Sequence, residues 1–260
     1  MNPLSHLFGR PSRQLQTYAP VQILDEGPLY AVGDIHGHLA HYDRLEAAIL
    51  ADAHARGEDR VRIVTLGDYV DRGPDSAGVL DRLSAPPPPG VERHSLKGNH
   101  EVMFEQFLQA PDLNAPWLDM GGRETLASYG LYTDQMQTVP RHAAQMVQSV
   151  VPQEHMDFMA GLPLAFSTRT HFLCHAGVDP MRPLDEQDEH TLLWIRNSFL
   201  NHEVPPDCVL DRVIVHGHTP CKQPELLEWR INVDTGVYSG GPLTAVRLDG
   251  IDLPCVIQTD

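Results

Sequence analysis

Five short clusters of residues able to ligate a metal interrupt the chain. They are Gly33-Asp34-Ile35-His36-Gly37-His38, Gly67-Asp68-Tyr69-Val70-Asp71-Arg72-Gly73, Gly98-Asn99-His100-Glu101, Cys174-His175-Ala176-Gly177 and His216-Gly217-His218-Thr219-Pro220. Carboxylate, imidazole and amide oxygen favour borderline or hard divalent ions such as manganese, iron or zinc. A carboxylate has two oxygens and can bridge two ions. A two-metal site, its ions roughly 3.5–4 Å apart, clamps an in-line displacement at phosphorus and lowers the pKa of a shared water. Two divalent ions against two aspartates leave a formal charge of about +2, enough to attract a phosphate dianion. The chain as a whole works the other way. Its 35 acids against 19 bases give −16, which repels a polyanion and disfavours a nucleic-acid partner.

Taken singly, these clusters are weak evidence. An Asp-x-His pair can be incidental, and Gly-Asn-His-Glu is also a turn with Asn99 as a helix N-cap. Their placement carries the weight, because apolar strands must deliver them. Leu29–Val32 is an apolar run stopped by Gly33. Val61–Leu66 is stopped by Gly67, and Val91–Leu96 precedes Gly98. Between them, His38–Arg56 has apolar residues near helical spacing, and Asp75–Leu83 reads as a short helix ahead of Pro86–Pro89. The order β-α-β-α-β points to an α/β layered fold, in which ligands bind beyond the carboxyl ends of the strands. Strands resume at His171–Cys174 and Val213–Val215, and Trp229–Val233 with Leu243–Leu248 reads as a closing antiparallel pair. Residues 99–161 are rich in Met, Gln, Leu and Ala. They predict several helices, an insertion at about 101–170 over or beside the sheet.

The remaining composition bounds the class. A chain of 260 residues with 42% apolar and 21% charged residues is long enough for one large domain and is not disordered. Residues 1–20 read as a tail and 21–260 as a single domain. The four cysteines have no C-x-x-C spacing and are expected to be reduced thiols in a cytoplasmic protein. No signal-peptide apolar segment or 18-residue apolar run occurs, so neither secretion by that route nor a membrane partner is expected.

The first three clusters resemble the signature motifs of the phosphoprotein phosphatases, a branch of the calcineurin-like metallophosphoesterases. The similarity continues through His175-Ala176-Gly177, Leu193-Trp194-Ile195-Arg196 and Gly217-His218-Thr219-Pro220, and spans roughly residues 28–250. It is nearest to bacterial and phage serine/threonine phosphatases, the lambda phage phosphatase among them. Gly121-Gly122, Thr125-Leu126 and Ser128-Tyr129-Gly130 resemble the insertion of bacterial members. The resemblance implies two mixed β-sheets packed as a central sandwich flanked by helices. It implies two divalent metals, manganese first, with iron or zinc as alternatives. Asp34 and His36 would hold one ion, Asp68 both, and Asn99, His175 and His218 the other. Asp71 and His100 would form the pair that protonates the leaving oxygen, while a metal-bridging water or hydroxide attacks phosphorus directly. Arg72 and Arg196 would grip phosphate oxygens, with Tyr238 beside the site.

Several residues stay open. His216 is a ligand or a packing residue, as is His38. Arg123 touches substrate or solvent, and Cys174 is expected in the core. The similarity implies a phosphomonoesterase acting on phosphoserine or phosphothreonine in proteins, with small phosphate esters also accepted. A dinucleoside tetraphosphatase shares the same motifs, and base-stacking aromatics around the insertion would mark it. A non-catalytic scaffold would have lost a ligand or His100, and this chain retains them all. Pro220 stands where many superfamily phosphodiesterases and nucleases carry a second histidine, which argues against a nuclease.

Overall fold

Four of the strands that carry the ligand clusters, at Leu29–Val32, Val61–Thr65, His171–Cys174 and Val213–His216, are buried along nearly their whole length, so both faces need cover. In the computed structural model, which describes residues 19–111, 115–132, 140–200, 203, 207–250 and 254–260, that cover is a second sheet on one side and helices on the other. In chain order the elements are β1 (Val21–Ile23), β2 (Leu29–Val32), α1 (Leu39–Ala55), β3 (Val61–Thr65), α2 (Ser76–Ser84), β4 (Val91–Ser95) and α3 (Asn99–Gln109). A 3-10 turn (Ala115–Met120), α4 (Gly122–Ser128), α5 (Pro140–Val150) and α6 (Gln153–Gly161) follow. The chain continues with β5 (Ala165–Ser167), β6 (His171–Cys174), α7 (Glu189–Trp194), β7 (Val213–His216), β8 (Glu225–Leu226), β9 (Arg230–Asn232), β10 (Thr244–Leu248) and β11 (Cys255–Gln258).

One mixed sheet has the order β11-β10-β2-β3-β4 and the other β1-β5-β6-β7-β9-β8. β2, β3 and β4 run parallel in the first, and β6, β7 and β9 in the second. Period-2 alternation divides the buried central strands between two cores. Leu29 and Ala31 of β2 join Leu173, Val215 and Ile231 between the sheets, whereas Tyr30 and Val32 face the helices. α1 buries Tyr42, Leu45, Ile49 and Ala53, one stripe at three- and four-residue spacing, against that outer face. α2 starts where Asp75 accepts the Gly78 N–H at 2.9 Å, an N-cap. Leu192 of α7 packs with Phe172, Ile214 and Phe199 on the outside of the six-stranded sheet. Among the described residues no helix is long and apolar enough to cross a membrane, and all four cysteines are free.

Three expectations need correction. The segments Trp229–Val233 and Leu243–Leu248 do not pair. β9 lies between β7 and β8, while β10 lies between β2 and β11. Ile231, Val233, Val246 and Leu248 meet in the inter-sheet core, so the segments face each other across the sandwich. Apolar periodicity reads alike for a hydrogen-bonded neighbour and for a partner in the opposite sheet. The helical insertion ends at Gly161 rather than near 170, because Ala165–Ser167 is a strand held between β1 and β6. Residues 1–18 of the expected tail lie outside the described residues, but Ala19 is buried and its N–H donates to the Gln187 carbonyl at 2.9 Å. The strands β1, β5, β8 and β11 had no sequence expectation. They are two to four residues long, and β1, β8 and β11 are half-buried or exposed, so those three carry no buried apolar run.

Candidate active site

Each cluster leaves the carboxyl end of a strand or opens the helix after it, and the loops are bonded to one another. The Ile35 and His36 N–H groups donate to the Asp68 carbonyl at 3.0 and 2.8 Å. The Glu101 carboxylate accepts from the backbone N–H of Gly98, Asp68 and Tyr69 at 2.7–2.9 Å, tying the third loop to the second. Burial first, then the Asp68 charge, pushes the Glu101 carboxyl up to about 7. The His218 N–H donates to both Asp34 oxygens at 3.1 Å, and the Gly217 N–H to the His175 carbonyl at 2.8 Å. Such close approach explains two glycines: a Cβ at Gly98 would overlap Asp68 Oδ1, and one at Gly217 would overlap Asp34 Oδ1. Among the described residues, five non-glycine positions have positive φ: His36, Asp68, Asp71, Arg72 and His218. All five belong to these clusters. Backbone strain of this kind, about 1–3 kcal/mol per residue, persists where the surroundings over-determine it.

Two groups of inward-facing ligand atoms share Asp68: His36, Asp68 and His100, and Asp68, His175 and His218. Every one of these residues is buried. His36 Nε2 lies 3.6 Å from Asp68 Oδ2, and His175 Nε2 lies 3.3 Å from Asp68 Oδ1. Asn99 Oδ1 is 2.8 Å from both His175 Nε2 and His218 Nδ1. Carbonyl groups orient two of the rings. His36 Nδ1 donates to Val70 O at 2.8 Å and His175 Nδ1 to Leu66 O at 2.9 Å, which leaves both Nε2 atoms facing the centre as in metal-binding histidines.

The charges also call for a cation. Asp34, Asp68 and Asp234 are all buried. Burial, then Asp234 and Asp68, raises the Asp34 carboxyl well above its usual range. Asp234 rises to about 6 for the same first reason, with Asp68 contributing. Burial also opposes the charge of Asp68, but His175, His100 and His36 outweigh it and hold that carboxyl low. The donor set and this excess of buried carboxylate fit divalent ions.

The other expected residues surround the same centre. His100 Nδ1 donates to Asp71 Oδ2 at 2.6 Å. Burial opposes a charge on His100, but Asp68 and Asp71 outweigh it and raise its pKa. Arg72 reaches His36 Nε2 at 3.2 Å and His100 Nε2 at 3.1 Å, with its guanidinium 4.1 Å from the Tyr238 ring centre. Arg196 Nε donates to His218 Nε2 at 3.0 Å. Not every candidate is included. His216 is buried against Phe199 and next to Arg230, outside both groups, and burial drives its pKa down to about 3. His38 contacts the His36 carbonyl through Nδ1 at 2.6 Å and is in neither group; the expected ligand Asp34 is in neither group as well, and is tied to the centre through the His218 N–H. Arg123 is exposed and paired with Asp119 at 2.8 Å on the rim of a groove of about 650 Å³ that also touches Arg72 and Tyr238. Cys174 is in the core. A larger cavity of about 750 Å³, lined by Lys97, Glu105 and Met159, lies elsewhere and includes none of the clusters.

Four residues around the site had no role assigned from sequence: Glu101, Asp234, Trp117 and Thr125. Glu101 was visible within Gly-Asn-His-Glu, and Thr125 within the insertion motif. Asp234 and Trp117 have no local signal, since only the folded chain brings them to the loops.

Residues 27–248 match the calcineurin-like phosphoesterase family. An asymmetrical bis(5'-nucleosyl)-tetraphosphatase, PrpE, of Bacillus thuringiensis is 25% identical over 235 residues, which cover 83% of this chain and 88% of that protein. A crystal structure of a protein provisionally named a diadenosine tetraphosphatase superposes with a TM-score of 0.62 at 23% identity, covering 93% of this chain and 98% of the other. A Saccharomyces cerevisiae serine/threonine phosphatase similar to human PP5 gives 0.57 at 16% identity, covering 94% and 84%. With the family match spanning the strands and loops that build the centre, the chain belongs to the calcineurin-like phosphoesterases.

Proposed function

We propose that this chain hydrolyses phosphate monoesters, with phosphoserine and phosphothreonine in proteins as its substrates. The observation that carries this reading is the pair of ligand groups sharing Asp68, one of them containing His100 bonded to Asp71, with Arg72 and Arg196 beside them. Asp34, His36 and Asp68 would hold one divalent ion, and Asp68, Asn99, His175 and His218 a second. The ions, when bound, supply an activated water and neutralise phosphate charge. Arg72 and Arg196 contact imidazole nitrogens of the site and would grip phosphate oxygens, which suit a planar fork of donors. His100 protonates the leaving oxygen, and Asp71 orients its ring.

The insertion aromatics favour the monoester over a dinucleotide. Phe104, Phe107 and Trp117 are buried in the core, Phe158 and Tyr129 pack against it, and Tyr132 is exposed. Among the described residues none of these lines the groove beside Arg72, where Leu118, Met120 and Tyr238 stand. The second reading is a dinucleoside tetraphosphatase, which the name of the Bacillus thuringiensis relative favours. Parallel assays of a phosphopeptide library and diadenosine tetraphosphate with manganese decide between them. Faster turnover of the dinucleotide at equal concentration would overturn the first reading.

A further inference from the structure

The Asp71 carboxylate belongs to the second loop, yet it is held from the insertion. Trp117 Nε1–H donates to Oδ2 at 2.7 Å, and the Thr125 hydroxyl donates to Oδ1 at 2.6 Å. The Asp71 N–H in turn donates to Thr125 Oγ1 at 2.8 Å and to Ser76 Oγ at 3.1 Å. With Thr125's single proton on Asp71, the Ser76 hydroxyl, 3.0 Å away, donates to Thr125. Oδ2 therefore receives two donors, the Trp117 indole and His100 Nδ1, and the plane of the carboxylate is fixed at both ends.

The indole itself cannot swing. It stacks on Phe104 with ring centres 5.0 Å apart and planes 13° apart, and it lies 4.7 Å from the Phe107 ring centre. Gly122 leaves room for it, since a Cβ there would stand 2.5 Å from the ring. Next to Gly122, the Gly121 carbonyl accepts the Arg72 N–H at 3.2 Å. One segment, Trp117 to Thr125, thus grips both consecutive residues Asp71 and Arg72.

We infer that Trp117 and Thr125 are positioning residues for proton delivery: they lock Asp71 so that His100 presents Nε2 to the leaving oxygen. The inference rests on the phosphoesterase reading above. A carboxylate short of a donor can rotate, and the His100 ring rotates with it. Loss of either donor should therefore matter most where the leaving oxygen needs a proton and little where it does not. A purely structural role, satisfying a buried carboxylate, would depress all substrates alike.

The test compares Trp117→Phe and Thr125→Val with wild type on phenyl phosphate and 4-nitrophenyl phosphate, at verified metal content. Both variants should lower kcat on phenyl phosphate by roughly 10- to 100-fold, the worth of a charge-assisted hydrogen bond, with much less effect on the nitrophenyl ester. KM should stay in place for both esters, and Thr125→Ser should recover most of the rate. A second readout needs no turnover. In proton spectra of the zinc-loaded protein, the downfield His100 Nδ1–H resonance, identified by its loss in His100→Asn, should move in both variants and return in Thr125→Ser. Equal losses on the two esters, or a resonance that stays put, would overturn the inference. If Trp117→Phe does not fold, Thr125→Val against Thr125→Ser carries the same decision. Wild-type protein inactive on both esters would instead sink the phosphoesterase reading, leaving the resonance to judge the positioning role alone.

Discussion

The two sheets contribute unequally to the centre. The loops of the five-stranded sheet carry Asp34, His36, Asp68, Asp71 and Arg72, and α3 adds Asn99 and His100. Four of the five strained residues lie there. The Asp68 carbonyl and Glu101 bind those loops to one another. The six-stranded sheet contributes His175 and His218, one backbone N–H to Asp34, and Asp234. One side thus holds the machinery for proton transfer and one ligand group, while the second group closes only when the other sheet is in place. A rigid acid–base half and a completing half make different demands on the sequence, and different substitutions should separate them.

Asp68 belongs to both halves, so Asp68→Asn should have the largest effect. Activity should fall beyond the roughly 10⁴-fold upper range of a lost general acid, and elemental analysis should find neither ion retained. In wild type, full-rate hydrolysis in excess chelator would falsify the two-metal reading. His100→Asn touches only the first half. It should cost roughly 10²–10⁴ in kcat while metal content holds, and the loss should shrink with good leaving groups. A uniform loss accompanied by loss of metal would place His100 among the ligands.

Arg196 tests the completing half. Arg196→Ala should lower kcat/KM by roughly 10- to 100-fold and weaken inhibition by inorganic phosphate in parallel, with Arg196→Lys recovering only part. An unchanged inhibition constant for Arg196→Ala removes this residue from phosphate binding.

The smallest expected effect concerns pH in the metal-free protein. Burial disfavours the charged form of His175, but Asp68, then Asp34 and the Leu66 carbonyl, outweigh it and raise its pKa to about 9. A folded-state pKa above the unfolded value of 6.5 gives stability that is complete below 6.5 and lost as pH rises through about 9. Thermal melts in chelator should therefore fall by a few degrees across that window, and added manganese should reverse the trend, because metal binds the deprotonated ring. A flat profile in chelator would show that His175 gains no charge on folding.

Much of this was legible in the chain. Apolar runs located β2, β3, β6 and β7 nearly to the residue, because a strand buried on both faces has few polar positions to blur its ends, whereas the half-buried β4 was marked mainly by the Gly98 beyond it. The clusters directly after those strands were visible as ligand-type residues, and the resemblance to the phosphatase motifs is what assigned Asp34, His36, Asp68, Asn99, His175 and His218 as metal ligands. Long-range pairing was not legible. β9 and β10 share an apolar pattern that does not say which sheet each joins, and β1, with two of its three residues exposed, has no apolar run to read.

The sequence by itself determined which side chains could ligate, protonate and grip phosphate, since those abilities are properties of the residues and of the turns that follow their strands. Tertiary structure decided what surrounds them. It turned His216 away to Phe199 and Arg230, brought Asp234 beside Asp34, and set Trp117 and Thr125 on Asp71 across 46 and 54 positions. Contacts at such separations depend on how two sheets and an insertion pack, and no local spacing rule encodes that packing.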